Sequence, residues 1–166
     1  INNEKIKIEK TSVILDELID SVMTKFLNRH PEQKVTIDIP NEIVVVSVDP
    51  ILIEQVLMNL LENAVFHAEN MTHIILRVFA SERKVIFEIA DDGCGIREDM
   101  LKDIFGGTYG TQNNSADGKK RNAGIGLSVC ATIIKAHDGE ISAENRKDGG
   151  ALFRFTLGKE DSAYDE

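Results

Sequence analysis

The stretch from Asp49 to Asn70, DPILIEQVLMNLLENAVFHAEN, constrains the possible folds more than any other part of the chain. Its spacing predicts one helix of about five to six turns, at 3.6 residues per turn. Asp49 suits the N-cap, and Pro50 suits the first turn, where a missing N–H leaves nothing unsatisfied. Ile51, Leu52, Ile53, Val56, Leu57, Leu60, Leu61, Ala64, Val65 and Ala68 give more apolar surface than one surface helix needs. Against that background Gln55, Asn59, Asn63 and His67 recur every fourth residue and form a slowly drifting stripe. A solvated stripe would carry Lys, Glu and Arg. Amides and imidazole gain little there but can coordinate a cation or bond a polar ligand. Two such residues would be incidental; four in register point to a site.

The flanking segments set the architecture. Residues 1–10, with Ile6 and Ile8 alternating against charge, read as an edge strand or the end of a linker. Thr11 or Ser12 is placed to cap a helix to about Asn28, with Val13, Ile14, Leu18, Ile19, Val22 and Phe26 on its apolar stripe. Strands are predicted over Lys34–Ile39 and Glu42–Val48, then as a hairpin over His73–Ala80 and Arg83–Ala90. A final pair spans Glu140–Glu144 and Ala151–Leu157, around Asp148-Gly149-Gly150. This order implies an α/β sandwich, with helices on one face of a mixed, mostly antiparallel sheet.

Length and charge narrow the function. A chain of 166 residues is one domain with room for a real core. A net charge of -9 argues against a nucleic-acid footprint, which would gather Lys and Arg on one face. Two cysteines, Cys94 and Cys130, form no disulfide framework or metal spacing; they read as packed small side chains, in keeping with a reducing, cytoplasmic setting. There is no signal peptide, and no apolar run approaches the roughly 18 residues of a spanning helix. The absence of an initial Met suggests a fragment, whose parent could carry a membrane segment elsewhere. His30, His73 and His137 fall at element ends and read as surface residues, and residues 158–166 have the composition of a disordered tail.

Three features beyond the central helix suggest a ligand. Period-2 alternation puts Asp91 on the same inward face as Val85, Phe87 and Ile89, where a carboxylate needs a partner. Gly93-Cys94-Gly95 follows at once and bares backbone on which a flat ring could rest; the plainer alternative is an Asp-Asp-Gly turn. Residues 105–123, FGGTYGTQNNSADGKKRNA, lack periodicity and read as a mobile lid ending in Lys119, Lys120 and Arg121. Gly124-Ile125-Gly126 then opens a helix to about Ala136, stopped by Gly139, and its first N–H groups would meet an anion. A planar head with a donor for Asp91, a polyphosphate for the lid cations and a divalent metal on Asn63 together describe Mg²⁺·ATP or a close relative.

NLLENA (Asn59–Ala64), DDGCGI (Asp91–Ile96), Phe105 and GIGL (Gly124–Leu127) resemble the four nucleotide boxes of sensor histidine kinases, members of the GHKL ATPase superfamily. The likeness runs from about Lys5 to Leu157, and DPILIEQVLMNLLENA also looks like KdpD-type kinases. It implies a Bergerat-type sandwich with a mobile ATP lid, adenine on Asp91 and Mg²⁺ on Asn63. Nucleotide contacts would come from Asn59, Asn63, His67, Gly93, Gly95, Ile96, Tyr109, Lys120, Arg121, Gly124, Gly126 and Leu127, with Asn59 and Asn63 at the catalytic centre. It also implies a dimerisation and phosphoacceptor domain before the chain, a response regulator as partner, and a homodimeric parent anchored in the inner membrane.

Departures concern the phosphate clamp. Phe66 stands where such kinases have Lys, and His67 where they have an aromatic, so His67 is placed to take over a phosphate contact. Asn122 replaces the first glycine of the last box, and Gly106–Gly110 lacks the customary Arg. Hydrolysing relatives carry Glu at the position of Asn59; an amide cannot take a proton from attacking water, so hydrolysis should be slow. None of the four histidines stands in the His-acid-x-x-x-Pro context that the family phosphorylates. Two other readings stay open: a nucleotide-gated regulatory module without kinase activity, and a hydrolysing chaperone- or topoisomerase-like ATPase.

Overall fold

The computed structural model describes residues 6–67, 71–106 and 118–159, with residues 67 and 118–125 described as helix backbone only. The elements, in chain order, are β1 (Thr11–Ile14), α1 (Leu15–Arg29), β2 (Lys34–Asp38), β3 (Val45–Val48), α2 (Pro50–His67), β4 (His73–Ala80) and β5 (Lys84–Asp91). They are followed by a short α3 (Glu98–Leu101), α4 (Gly118–Ala136), β6 (Glu140–Asn145) and β7 (Ala151–Gly158). The main sheet has five strands in the order β2-β4-β5-β7-β6. Only β2 and β4 run parallel; the other pairings are antiparallel. The predicted α/β sandwich on a mixed, mostly antiparallel sheet is therefore what forms.

One face of the sheet presents Ile74, Leu76, Val78, Val85, Phe87, Ile89, Phe153, Phe155 and Leu157, all buried in a single core with the apolar stripes of the three long helices. Phe87 and Phe155, opposite each other in register, stack at 4.6 Å between centroids. The other face carries a row of alternating charge, Asp38–Arg77–Glu88–Arg154, in register across four strands. Only the Glu88–Arg154 pair is tight, with Arg154 Nε and Nη2 each at 2.9 Å from Glu88 Oε2. Exposed pairs such as Arg77–Asp38 contribute little.

The N-terminal region departs from expectation. Residues 11–14 form a strand rather than the first turn of a helix, and residues 6–10 carry no regular structure. β1 pairs antiparallel with β3, from Thr11 opposite Val48 to Ile14 opposite Val45, in a separate two-stranded sheet. Val13 and Ile14 suit that pairing, which overrides the capping preference of Thr11 and Ser12. α1 therefore has no side-chain cap, and its Leu15 N–H donates to the Val44 carbonyl instead. The buried stripe shifts to include Leu15 and Met23, whereas Ile14 is partly exposed. β3 starts three residues later than expected, leaving Ile43 exposed, and an isolated bridge from Val46 to Lys159 links the small sheet to the end of the chain. Gly158 belongs to β7 and not to a tail, and residues 160–166 of the expected tail lie outside the described residues.

The α2 start matches its sequence signals: the Asp49 carboxylate accepts from the Leu52 N–H at 3.3 Å as an N-cap does, and from the Glu9 N–H at 2.9 Å. His137 is not a surface residue. It is buried, its Nδ1 donates to the Ile133 carbonyl at 2.9 Å, and its Nε2 accepts from the Asp49 N–H at 3.1 Å. That arrangement needs the neutral ring with its proton on Nδ1, and it ties the end of α4 to the start of α2. His137→Leu strands the Asp49 N–H, so it should destabilise the domain by about 1–2 kcal/mol. Thermal melting at pH 7 should register this as a loss of about 2–8 °C.

The end of α4 corrects one reading of a glycine. Asp138 takes the left-handed conformation at φ 62°, and the Gly139 N–H reaches back to the Ile134 carbonyl at 2.9 Å. Gly139 is required for a different reason: a Cβ there would run into the Thr156 carbonyl of β7.

Candidate functional site

The site begins where β5 ends. Asp91 is 4% exposed and occupies the inward position that alternation predicts. Its Oδ1 accepts from the Gly93 N–H at 2.9 Å and from the Ala151 N–H at 3.3 Å. Among the described residues nothing donates to Oδ2. Burial raises the pKa of this carboxyl above the ordinary 3.8; the two N–H donors and the Arg146 charge pull it down, and neighbouring Asp92 pushes it up. A desolvated carboxylate oxygen without a donor is costly unless a ligand supplies one.

Asp92 plays a separate part. It is exposed and accepts from the Thr72 N–H at 2.8 Å, the Thr72 hydroxyl at 2.7 Å and the His73 N–H at 3.1 Å. Those bonds, led by the Thr72 N–H, hold its pKa down to about 2. The adjacent acids thus divide into a buried acceptor and a tether for the start of β4.

The glycine loop continues through Gly95, at φ 87°, to Ile96. Ile96 is clamped through its main chain: its N–H donates to Asn145 Oδ1 at 2.7 Å and its carbonyl accepts from Asn145 Nδ2 at 2.8 Å. Cys94 is exposed, not a packed filler. Phe105 anchors the chain beyond α3 by packing edge-on against Phe153, with centroids 6.1 Å apart.

Of the polar stripe of α2, Asn59 meets α4. Asn59 is half-buried, and its Nδ2 approaches the Gly126 carbonyl at 3.4 Å and Cys130 Sγ at 3.7 Å. Burial pushes the Cys130 thiol up to about 12, so it serves as an inert packing group. Asn63 lies one turn further along α2, half-buried, and its amide has no partner among the described residues. Gln55 is exposed, and His67 enters only as the last residue of the helix.

α4 differs from its prediction. It starts at Gly118, so the helix takes in the last part of the expected lid. The unsatisfied N–H groups of a helix belong to its first four residues. Here those are residues 118–121, which include Lys120 and Arg121; Gly124 and Gly126 lie further in. The run Lys119-Lys120-Arg121-Asn122-Ala123 is adequate helix-forming sequence, which local glycine signals concealed. Leu127 is 1% exposed and belongs to the core rather than to a ligand surface. Tyr109 and the rest of residues 107–117 lie outside the described residues, so the expected lid over that span does too.

Sequence reasoning missed the contact of the β6–β7 turn with Asp91. Arg146 Nη1 donates to the Asp91 carbonyl at 2.6 Å, and Gly150, at φ 93°, sits so close that a Cβ would collide with that same carbonyl. The Asp-Gly-Gly signal marked a turn, but only the pairing of β5 with β7 brings it to Asp91.

A metal would find a sparse protein donor set. Among the described residues no three His, Cys, Asp or Glu side chains gather as a cage. The Asn63 amide, without a partner among the described residues, fits a cation that keeps water and takes most of its oxygens from a bound phosphate, as Mg²⁺ does. No helix among the described residues is long and apolar enough to cross a membrane.

Comparison with known proteins agrees with this geometry. Residues 48–161 match the family described as histidine kinase-, DNA gyrase B-, and HSP90-like ATPase. The sensor protein KdpD of Clostridium acetobutylicum is 35% identical over 154 residues, which is 93% of this chain and 17% of that protein. The adaptive-response sensory kinase SasA of Nostoc sp. is 41% identical over 145 residues, 87% of this chain and 34% of SasA. The chain thus spans about a third or less of the length of these relatives. The nucleotide-free catalytic domain of histidine kinase ThkA superposes with a TM-score of 0.76 at 31% identity, covering 92% of this chain and 99% of that domain. ThkA has also been solved in complex with its response regulator protein TrrA, where 92% of this chain and 42% of that chain align at 30% identity and a TM-score of 0.75. Family match and fold together place the chain among the histidine kinase-, DNA gyrase B- and HSP90-like ATPases, in the form taken by histidine kinase catalytic domains.

Proposed function

We propose that this chain is the ATP-binding catalytic domain of a two-component sensor histidine kinase, donating the γ-phosphoryl group of ATP to a histidine on a separate helical domain. The observation that carries this is Asp91: a buried carboxylate with one oxygen pinned by backbone N–H groups and the other without a donor among the described residues. An exocyclic amino group of a purine would supply that donor, with Gly93, Gly95 and Ile96 lining the loop beneath the ring. The helix end at residues 118–121 adds support. The sequence puts Lys119, Lys120 and Arg121 in the first turn of α4, at the positive end of its dipole, where an anion is favoured. A triphosphate running past His67 toward Lys120 and Arg121 would be that anion.

Asn63 would hold Mg²⁺, which when bound would neutralise charge on the phosphoryl oxygens. Asn59 spans α2 and α4 and offers no base, so it orients groups without activating water. The better nucleophile is an imidazole on the partner domain, and a response regulator, as in the ThkA–TrrA complex, would take the phosphoryl group onward. The parent would be a homodimer whose kinase portion lies in the cytoplasm.

Incubating the full-length parent with γ-labelled ATP and Mg²⁺ tests this reading. Acid-labile, base-stable label on a histidine outside residues 1–166 is expected, together with slow phosphate release. No nucleotide binding by calorimetry at millimolar ATP would overturn it. A second reading, a nucleotide-gated regulatory module, draws on Phe66, which packs edge-on against His30 at 5.8 Å where related kinases carry a cation. ATP binding with an unlabelled histidine would favour it.

A further inference from the structure

The loop that bears Asp91 is gripped at both ends by one turn that lies about fifty residues further along the chain. At its start Arg146 Nη1 holds the Asp91 carbonyl at 2.6 Å, the Ala151 N–H holds Oδ1 at 3.3 Å, and Gly150 packs its bare Cα against the Asp91 main chain. At its end the Asn145 amide makes both main-chain bonds to Ile96, and its Oδ1 fills the space where a Cβ on Gly95 would stand. The turn is itself closed by the Arg146 N–H on the Gly150 carbonyl at 2.8 Å.

These contacts lie beyond the sheet ladder. β5 stops pairing with β7 at Ala90 opposite Leu152 and with β4 at Asp91 opposite Ile74, so the loop beyond Asp91 has no strand partner to set its course. Asn145 and Arg146 supply that support. By holding the main chain at Asp91 and at Ile96 they fix a loop in which Oδ1 meets two backbone donors and Oδ2 has no donor among the described residues. An acceptor held this rigidly favours a ring that presents a donor and disfavours one that lacks it, because a buried carboxylate oxygen would then stay unpaired.

We propose that Asn145 and Arg146 are positioning residues that set base selectivity: they aim Asp91 at the amino group of an adenine nucleotide. This rests on the reading of Asp91 as the base acceptor. Arg146 adds its positive charge beside a carboxylate that must stay ionised to accept, close to the opposing charge of Asp92.

Titrating the chain with ATP and with purine riboside triphosphate, which lacks the 6-amino group, separates the possibilities. The unaltered chain should prefer ATP. In Arg146→Met and Asn145→Ala, ATP affinity should fall about tenfold, while affinity for the deamino nucleotide changes by less than about twofold. Arg146→Lys, which keeps a charged donor and should keep the fold, should restore much of the preference. Thermal melting of each variant reports its folding separately. Equal weakening of both nucleotides, or an intact preference for ATP in Arg146→Met and Asn145→Ala, would overturn the proposal. An unaltered chain that binds neither nucleotide would overturn the ligand assignment itself, a distinguishable result.

Discussion

Asp91→Asn should weaken adenine nucleotide binding while leaving the domain folded. The Asn carbonyl can replace Oδ1 against the Gly93 and Ala151 N–H groups. The amino group then takes the place of Oδ2 and confronts the amino group of the base, donor against donor. The expected loss is about 1–3 kcal/mol, roughly five- to 150-fold in Kd, read by calorimetry at pH 7.5. Stability should move little, within about 3 °C in thermal melting, because the substitution also removes a desolvated charge. Unchanged ATP affinity would take Asp91 out of the pocket.

The raised pKa of Asp91 gives this site a pH signature of definite sign. A carboxyl whose folded pKa lies above its ordinary 3.8 binds its proton more tightly in the folded state. Its contribution to stability is therefore full below pH 3.8 and lost as pH rises through the raised value. Nucleotide binding runs the other way, since only the ionised oxygen accepts a donor. Acidification through the raised value should weaken ATP while this one group favours the empty fold. Asp91→Asn should abolish that part of the pH dependence of binding.

Gly150→Ala is the substitution expected to damage fold and site together. Residue 150 adopts φ 93°, which an L side chain rarely takes, and the added Cβ would collide with the Asp91 carbonyl. Neither atom can yield cheaply: one belongs to the end of a buried central strand, the other to a turn closed by Arg146. Strain and displacement together should cost about 3 kcal/mol or more. That corresponds to roughly 6–12 °C in melting temperature for a domain this size. The displaced Asp91 should also lose its nucleotide. Gly149→Ala is a useful control, because φ 107° strains it too while nothing stands near its Cβ position. A Gly150→Ala variant no less stable than Gly149→Ala would show that the contact with Asp91 does not matter.

Much of the fold could be read residue by residue. The 3.6 periodicity of residues 49–67 and the 2-residue alternation of Val85 to Asp91 each declared an element and the face it buries. The same alternation placed Asp91 indoors, and the stripe of amides placed Asn59 and Asn63 together. Where local signals failed, a partner distant in sequence had overridden them. Thr11 and Ser12 look like helix caps until β3 offers Val13 and Ile14 a ladder. His137 looks like a helix-end surface residue until the Asp49 N–H arrives from 88 positions away. Gly124 and Gly126 look like a helix start because glycine disfavours helix interiors, yet the helix runs through them from Gly118.

By itself, then, the sequence determined which residues of the central helix and of β5 are inward and most of the elements that form, because periodicity and residue type are local properties of the chain. Tertiary structure alone decided how the Asp91 loop is held. The β6–β7 turn reaches it only through the pairing of β5 with β7, and the hydrogen bonds from Asn145 and Arg146 join residues too far apart in sequence for any local pattern to record.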